Sequence, residues 1–226
     1  MPKVKIKRKS TPIDMTAMCD VAFLLLSFFI LTTKFKPSEA LAVVTPNSVS
    51  NKVAEQKDAV LITIDKDGKV YFSVSDENTE EKQAIIEDIN TTNKLGLTDA
   101  EIKGFLKAGS YVGVPFSQLK SYLALDAEKL KALKVDGIPV LDSTNNQLTE
   151  WMRASVKAFQ GSKLNLLVKG DNSSKYPSFQ GVISAFKKND QMKFSMITNP
   201  ENVPPGTELF RKNLRGGGGA TDAAAE

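Results

Sequence analysis

The sequence predicts a single-pass membrane protein, in which one N-terminal transmembrane helix precedes an α+β extracytoplasmic domain. Three observations lead to this prediction. A basic segment comes directly before the most apolar stretch of the chain, apolar and polar residues then alternate around a turn, and amphipathic helical patterns fill most of the remainder. The domain is therefore predicted to contain a small sheet and two or more helices, with a helical insertion.

The net charge of +4 is concentrated at the N-terminus. Of the 30 basic and 26 acidic residues, the first 12 positions hold five basic and no acidic ones. A nucleic-acid-binding domain spreads its basic residues over a folded face, so this distribution argues against a nucleic-acid partner. Basic residues beside an apolar helix instead mark its cytoplasmic end. These topology residues are Lys3, Lys5, Lys7, Arg8 and Lys9.

The apolar stretch has three interpretations. As a signal peptide it would be cleaved near Ala40-Leu41-Ala42, but charged residues separate its apolar core from that pattern. As a core helix of a soluble domain, it would not be expected to follow a basic leader. As a transmembrane helix over 13–33, its part from Met15 covers about 28 Å, close to the hydrocarbon core of ~30 Å. The third interpretation places the N-terminus in the cytoplasm.

Asp20 is the most informative residue of this helix. An ionised Asp near the centre of a spanning helix costs about 2.5–3.5 kcal/mol, and such residues usually face a partner or a water path. Thr16 and Ser27 share its helical face, so the three form a polar stripe. A second interpretation leaves Asp20 only as the pairing partner of a basic residue in another subunit. Because the chain has no His, Asp20 is the candidate proton carrier, with Asp14 at the membrane edge.

These residues resemble the ExbD/TolR family, the single-span subunits of proton-driven motors in Gram-negative envelopes. The family has a basic leader and a helix of the form I-N-x-T-P-x-I-D-V, where residues 13–21 here read I-D-M-T-A-M-C-D-V. The resemblance places Asp20 on the family's essential protonatable aspartate and Thr16 on its conserved threonine. Ala17 stands where the family usually has Pro, and Asp14 where it usually has Asn.

The resemblance covers residues 1–75 and about 136–200. Family members end with a strand, an Asp-containing turn, a Tyr-Pro pair, an amphipathic helix and a last strand. The corresponding segments here are 164–169, 170–172, Tyr176-Pro177, 179–188 and 192–198. Residues 76–135 are predicted to be an insertion, either a docking surface or a decorating lobe.

The resemblance implies an energy-transducing subunit of the cell inner membrane, with a cytoplasmic N-terminus and a periplasmic domain. It assigns the proton to Asp20. The implied partners are an ExbB/TolQ-like multi-span proton-channel subunit, a second copy of the chain in a helix pair, a TonB/TolA-like periplasmic energy carrier and peptidoglycan. The alternative is a signal-anchored periplasmic binding or structural domain that moves no proton.

Composition argues against an enzyme, and no cofactor is predicted. With no His and one Cys, the chain has no Ser-His-Asp triad, Cys-His dyad, His-liganded zinc or intrachain disulfide. The glycines at 216–219 follow no predicted strand, so they are not a phosphate-binding loop. The motif Asp65-Lys66-Asp67-Gly68 lacks the distal Glu of a calcium loop and is predicted to be a hairpin turn.

The predicted organisation follows from these features. The segments are a leader at 1–12, a helix at 13–33, a linker at 34–58 with at most a short strand at 41–44, a domain at 59–200 and a disordered tail at 201–226. Strands are predicted at 59–65, 69–74 and 138–141, and helices at 80–90, 98–108, 117–124, 127–133 and 146–159.

The helix predicted at 146–159 is amphipathic. Its inner face is formed by Leu148, Trp151, Met152, Val156 and Phe159. Trp151 is interpreted as a core residue, with a partner anchor as the alternative.

Overall fold

The structure is a computed structural model. It describes residues 15–32, 41, 43–49, 55, 57–107, 111–125, 135–142, 144–208 and 210–211. The chain divides into two compact units, Met1–Pro37 and Ser38–Glu226. The first unit contains helix α1, Met15–Thr32. The basic leader, the helix predicted at 127–133 and most of the predicted tail lie outside the described residues.

The second unit is built on a mixed four-stranded sheet. The described strands are β1 (Asn47–Ser48), β2 (Ala59–Ile64), β3 (Val70–Val74), β4 (Asn165–Gly170), β5 (Ser195–Ile197) and β6 (Asn199–Pro200). The large sheet has the order β3-β2-β4-β5, in which only the β2–β3 pair is antiparallel. A separate two-stranded parallel sheet joins β1 to β6. The predicted α+β fold class is confirmed.

The described helices of the second unit follow the predicted order. They are α2 (Thr79–Asn93), α3 (Asp99–Leu106), α4 (Phe116–Leu123), α5 (Leu148–Ala158) and α6 (Tyr176–Lys188). α2 runs three residues beyond the prediction and stops where Lys94 adopts a left-handed φ of 51°. α6 begins three residues before the prediction because Pro177 is tolerated in a first helical turn. At α3, the predicted capping box is present, with the Thr98 N–H donating to Glu101 Oε2 at 2.8 Å.

Asp65 holds the turn between β2 and β3. Its Oδ1 accepts the backbone N–H groups of Asp67 and Lys69, each at 2.9 Å, and its Oδ2 accepts the Tyr71 hydroxyl at 3.1 Å. Gly68 has a φ of 79°, a conformation that favours glycine. Both carboxylate oxygens of Asp65 thus accept hydrogen bonds from the chain itself, and the motif forms the predicted hairpin turn.

Trp151 is the centre of the core and is 0% exposed. Its ring packs against Phe72 of β3, Phe105 of α3 and Phe116 of α4, with centroid distances of 4.9, 5.9 and 5.9 Å. The prediction of a core residue is confirmed, and the alternative of a partner anchor is wrong. Because two of the three phenyl rings come from residues 76–135, this segment shares the core of the domain, and its interpretation as a decorating lobe is wrong.

Two further predictions need correction. The strand at 138–141 does not form, although the Ile138 N–H donates to the Val70 carbonyl at 2.8 Å. The last strand, predicted at 192–198, is limited to Ser195–Ile197, the residues that pair with Leu167–Lys169 of β4. On α5 the predicted inner face is correct except at Val156, which is only half-buried.

Charged side chains join α2 to α5. Asp88 accepts a hydrogen bond from Lys157 Nζ at 2.7 Å, and Arg153 Nη2 lies 3.0 Å from its other oxygen. The hydrogen bond from Lys157, with the charges of Arg153 and Lys157, holds the pKa of Asp88 below its ordinary value. At the start of α2, the buried Lys82 pairs with Asp76 at 2.6 Å.

Replacing Trp151 by Ala should lower the free energy of unfolding by about 3–5 kcal/mol, because a cavity would replace the contacts with three rings. Trp151→Phe should cost less, since a phenyl ring keeps part of the packing. In addition, the indole Nε1 has no hydrogen-bond acceptor among the described residues. Urea denaturation of the full chain in detergent, followed by far-UV circular dichroism, measures both. A loss below about 1 kcal/mol for Trp151→Ala would show that the cluster does not anchor the helices.

The ion pairs of Asp88 should make stability depend on acidity. Because folding lowers the pKa of Asp88 from its ordinary 3.8, the pairs stabilise the fold above that value, and this contribution is lost as the pH falls through the lowered pKa. Asp88→Asn should cost about 1 kcal/mol at neutral pH and almost nothing in strong acid. Urea denaturation at both acidities measures this difference. Glu87→Gln, at an exposed neighbour, is the control, and an equal cost of Asp88→Asn at both acidities would contradict the assignment.

Candidate functional site

The candidate site predicted from the sequence lies on α1. The helix is continuous through Ala17, so no break occurs where the family usually has Pro. Its 18 residues include one charged side chain, Asp20, and extend about 27 Å. None of its residues is buried among the residues that the structure describes. A helix that is apolar on most of its surface is suited to lipid, and this is the one described helix long and apolar enough to cross a membrane.

The polar stripe is present on this helix. Thr16, Asp20 and Ser27 are four and seven residues apart, spacings that place side chains on one helical face. The Ser27 hydroxyl donates to the Leu24 carbonyl at 2.9 Å, so the helix backbone satisfies it. The carboxylate of Asp20 accepts hydrogen bonds, whereas the N–H groups within a helix are already used by its own carbonyls. Asp20 is therefore the member of the stripe that needs a partner from outside the helix.

Other predicted site residues fall outside the described residues. Lys3, Lys5, Lys7, Arg8, Lys9 and Asp14 all lie in residues 1–14. Their role in membrane topology stays a prediction. Cys19 is on α1 and is a free, exposed thiol. Within the part of the chain that the structure describes, no three His, Cys, Asp or Glu side chains are placed to hold a metal ion.

Part of the predicted linker is hydrogen-bonded to the rest of the second unit. We call residues 43–48 the strap. The Val44 N–H donates to Asp171 Oδ2 at 3.0 Å, and the Asn172 N–H donates to the Val44 carbonyl at 2.8 Å. Asn199 accepts the Thr45 hydroxyl at 2.8 Å and donates to the Thr45 carbonyl at 3.1 Å. The strand of this region is thus β1, which pairs with β6, and not the segment 41–44 that the sequence suggested.

Asp171 is the residue that sequence reasoning missed here. It was recognised only as part of a turn, yet its carboxylate also holds the strap, which lies 127 residues earlier in the chain. The N–H groups of Ser173 and Val44 hold the pKa of Asp171 below its ordinary value, with a smaller contribution from the charge of Lys66. No local pattern pairs two residues so far apart, so only the Asp-containing turn itself could have drawn attention to this position.

Comparison of the chain with known proteins identifies its family. The model of the family "Biopolymer transport protein ExbD/TolR" matches residues 7–201, which include α1, the strap and all of the large sheet. The chain belongs to the ExbD/TolR family. It is therefore a membrane protein of a family that serves biopolymer transport, in agreement with the apolar helix α1.

Individual relatives within this family are distant. The chain is 22% identical over 104 residues to the "Biopolymer transport protein ExbD" of Aquifex aeolicus, covering 45% of this chain and 79% of that protein. It is 26% identical over 83 residues to the "Biopolymer transport protein exbD2" of Vibrio cholerae, covering 37% of this chain and 61% of that protein. No solved structure matches the chain. This chain is longer than either relative, and the placement of an insertion at 76–135 stays a prediction.

Asp171→Ala should loosen the strap, because it removes the acceptor of the Val44 N–H. We expect hydrogen exchange of the Val44 amide to accelerate by about tenfold or more. Asp142→Ala is a matched control, since Asp142 also accepts bonds from its own turn but makes none with the strap. Hydrogen exchange of the full chain in detergent micelles, read by mass spectrometry, measures both variants. If the two variants leave the Val44 amide equally protected, the carboxylate of Asp171 does not hold the strap.

Proposed function

We propose that the chain is a proton-driven, energy-transducing subunit of an ExbB–ExbD/TolQ–TolR-like motor in the inner membrane. Such a motor powers transport or envelope work at the outer membrane. The observation that carries this proposal is Asp20, the one charged residue of a helix that is otherwise suited to lipid. Membership in a biopolymer-transport family supports the same conclusion. The chain acts by moving a proton and a helix, and not as an enzyme.

The proposed mechanism rests on the different surroundings that the two states of Asp20 prefer. Desolvation in a medium of low dielectric penalises an ionised carboxylate relative to the neutral acid. Neutral Asp20 therefore tolerates an apolar wall, whereas ionised Asp20 prefers water or the hydroxyl groups of Thr and Ser side chains. A proton that enters from the periplasm and leaves to the cytoplasm supplies about 2.3 kcal/mol per 100 mV of membrane potential. Repeated protonation would thus bias the motion of the helix.

The partners follow from what α1 lacks. No residue of α1 is buried among the described residues, and we infer that other subunits cover the polar stripe. An ExbB/TolQ-like multi-span subunit and the α1 helix of a second copy are the proposed neighbours. The five basic residues of the leader favour a cytoplasmic N-terminus, and the second unit would then lie in the periplasm. There it would pass force to a TonB/TolA-like carrier or attach to peptidoglycan.

Asp20→Asn tests the proposal, because Asn fills the same volume but carries no exchangeable carboxyl proton. The chain is co-purified with its multi-span partner, reconstituted into vesicles, and assayed for proton uptake under an imposed potential. We expect Asp20→Asn to reduce uptake to that of empty vesicles and Asp20→Glu to keep part of it. Asp14 is predicted to lie at the membrane edge. Asp14→Asn should therefore keep most of the flux.

Assembly must be measured beside flux. If Asp20→Asn co-purifies at the parental level and retains full proton-driven activity, Asp20 is a structural pairing residue. The chain would then be the signal-anchored periplasmic domain of the alternative hypothesis. N-terminal sequencing of the mature protein is a second check, since a start near residue 43 would contradict a membrane-anchored chain.

A further inference from the structure

The outer edge of β3 is covered by two short segments. We call residues 111–114 and 135–138 together the edge cover. The Phe72 N–H donates to the Val112 carbonyl at 2.8 Å, and the Val112 N–H donates back to the Phe72 carbonyl at 2.7 Å. The Ile138 N–H donates to the Val70 carbonyl at 2.8 Å. The N–H and carbonyl of Phe72 and the carbonyl of Val70 are therefore used within the chain.

The edge cover is packed too tightly to be an incidental contact. Val112 is fully buried, and the backbone of Gly113 lies so close to Tyr71 that a Cβ at position 113 would overlap the phenol ring. Tyr71 and Tyr111 pack edge to face with centroids 5.8 Å apart. The Gly137 N–H donates to the Gly113 carbonyl at 2.7 Å, which joins the two segments. Side chains and backbone thus hold the cover against β3.

The sequence of β3 explains why its edge needs a cover. The strand reads V-Y-F-S-V, with three β-branched or aromatic residue types and no charge, Pro or Gly. Uncharged windows of high β-propensity pair readily with other strands when their edge is exposed. The opposite edge strand, β5, has three residues and follows directly after Lys193 and Phe194. Short length and a nearby charge are themselves protections, so the two edges are protected in different ways.

We infer that the edge cover is a guard that prevents β3 of one copy from pairing with β3 of a second copy. An antiparallel pair related by a two-fold axis would use the N–H and C=O groups of Phe72 that Val112 now occupies. In the motor proposed above, neighbouring copies are held together, and their effective concentration is high. That last consideration rests on the proposed function, whereas the guard itself follows from the contacts of β3.

The test uses the full chain in detergent micelles. Cys19→Ser removes the only native thiol, and Ser73→Cys places a reporter on β3. A short bismaleimide then links two copies whose β3 strands are paired. We expect little linked dimer while the cover is intact. Val112→Pro removes the N–H donated to Phe72, and should increase the linked dimer by about tenfold or more.

Two controls separate the guard from general loosening. Val112→Ala loses side-chain packing but keeps the backbone N–H, and should stay near the parental level. Ser195→Cys reports pairing at β5 in place of β3 and should not respond to Val112→Pro. The inference is overturned if Val112→Pro leaves the Ser73→Cys dimer unchanged, or if Val112→Ala increases it equally.

Hydrogen exchange of the parent chain gives a measurement without any variant, which decides the matter if Val112→Pro fails to fold. The guard predicts that the Phe72 amide exchanges slowly and that its protection is independent of protein concentration. Rapid exchange, or protection that rises with concentration, would contradict it. These readouts need no proton flux, so a failure of the proposed function and a failure of the guard are distinguishable.

Discussion

The parallel pairing of β2 with β4 is the constraint on which the second unit depends. The pair extends from Ala59 opposite Asn165 to Ile64 opposite Gly170. Parallel neighbours cannot be joined by a tight turn, so the chain must return to the starting end of the sheet before β4 begins. That return carries β3 and the helices α2 to α5, whose apolar faces must all find cover. Trp151 provides part of this cover, because β3, α3, α4 and α5 meet around its ring.

Features that depend on neighbouring residues were predictable from the sequence, and those that depend on distant ones were not. The hairpin, the order of the helices and the capping box at Thr98 follow from local periodicity and turn chemistry. Some helix ends differ from their predicted positions by a few residues. At α2 the backbone conformation of the single residue Lys94 sets the end. The strap could not be predicted because the hydrogen bond from the Val44 N–H to the Asp171 carboxylate joins residues that are 127 positions apart. The segment at 138–141 is joined to β3 by the bond from the Ile138 N–H to the Val70 carbonyl and not by a continuous ladder, so it forms no strand.

The candidate site on α1 stays a prediction, and it is conspicuous in the sequence for a physical reason. A charged side chain in the hydrocarbon core of a bilayer costs free energy, so such residues are rare in transmembrane helices. A single Asp in an apolar stretch is therefore easy to recognise in the sequence. Asp20 could be recognised by that rule alone, and the helical spacing then placed Thr16 and Ser27 on its face. What faces the stripe could not be predicted from the sequence, because helical spacing identifies the face but not its neighbours. The structure adds that Ser27 is satisfied by its own helix, which leaves the carboxylate as the group in need of a partner.

The position of Trp151 has a practical consequence for spectroscopy. The chain contains a single Trp, and its indole ring is fully buried against three phenyl rings. Intrinsic fluorescence excited at the indole band therefore comes from one point in the core of the second unit, with no contribution from α1. A red shift of this emission would report the opening of the region where the sheet meets its helices. The full chain thus carries its own optical probe of the extramembrane domain, which needs no added label in membranes or vesicles.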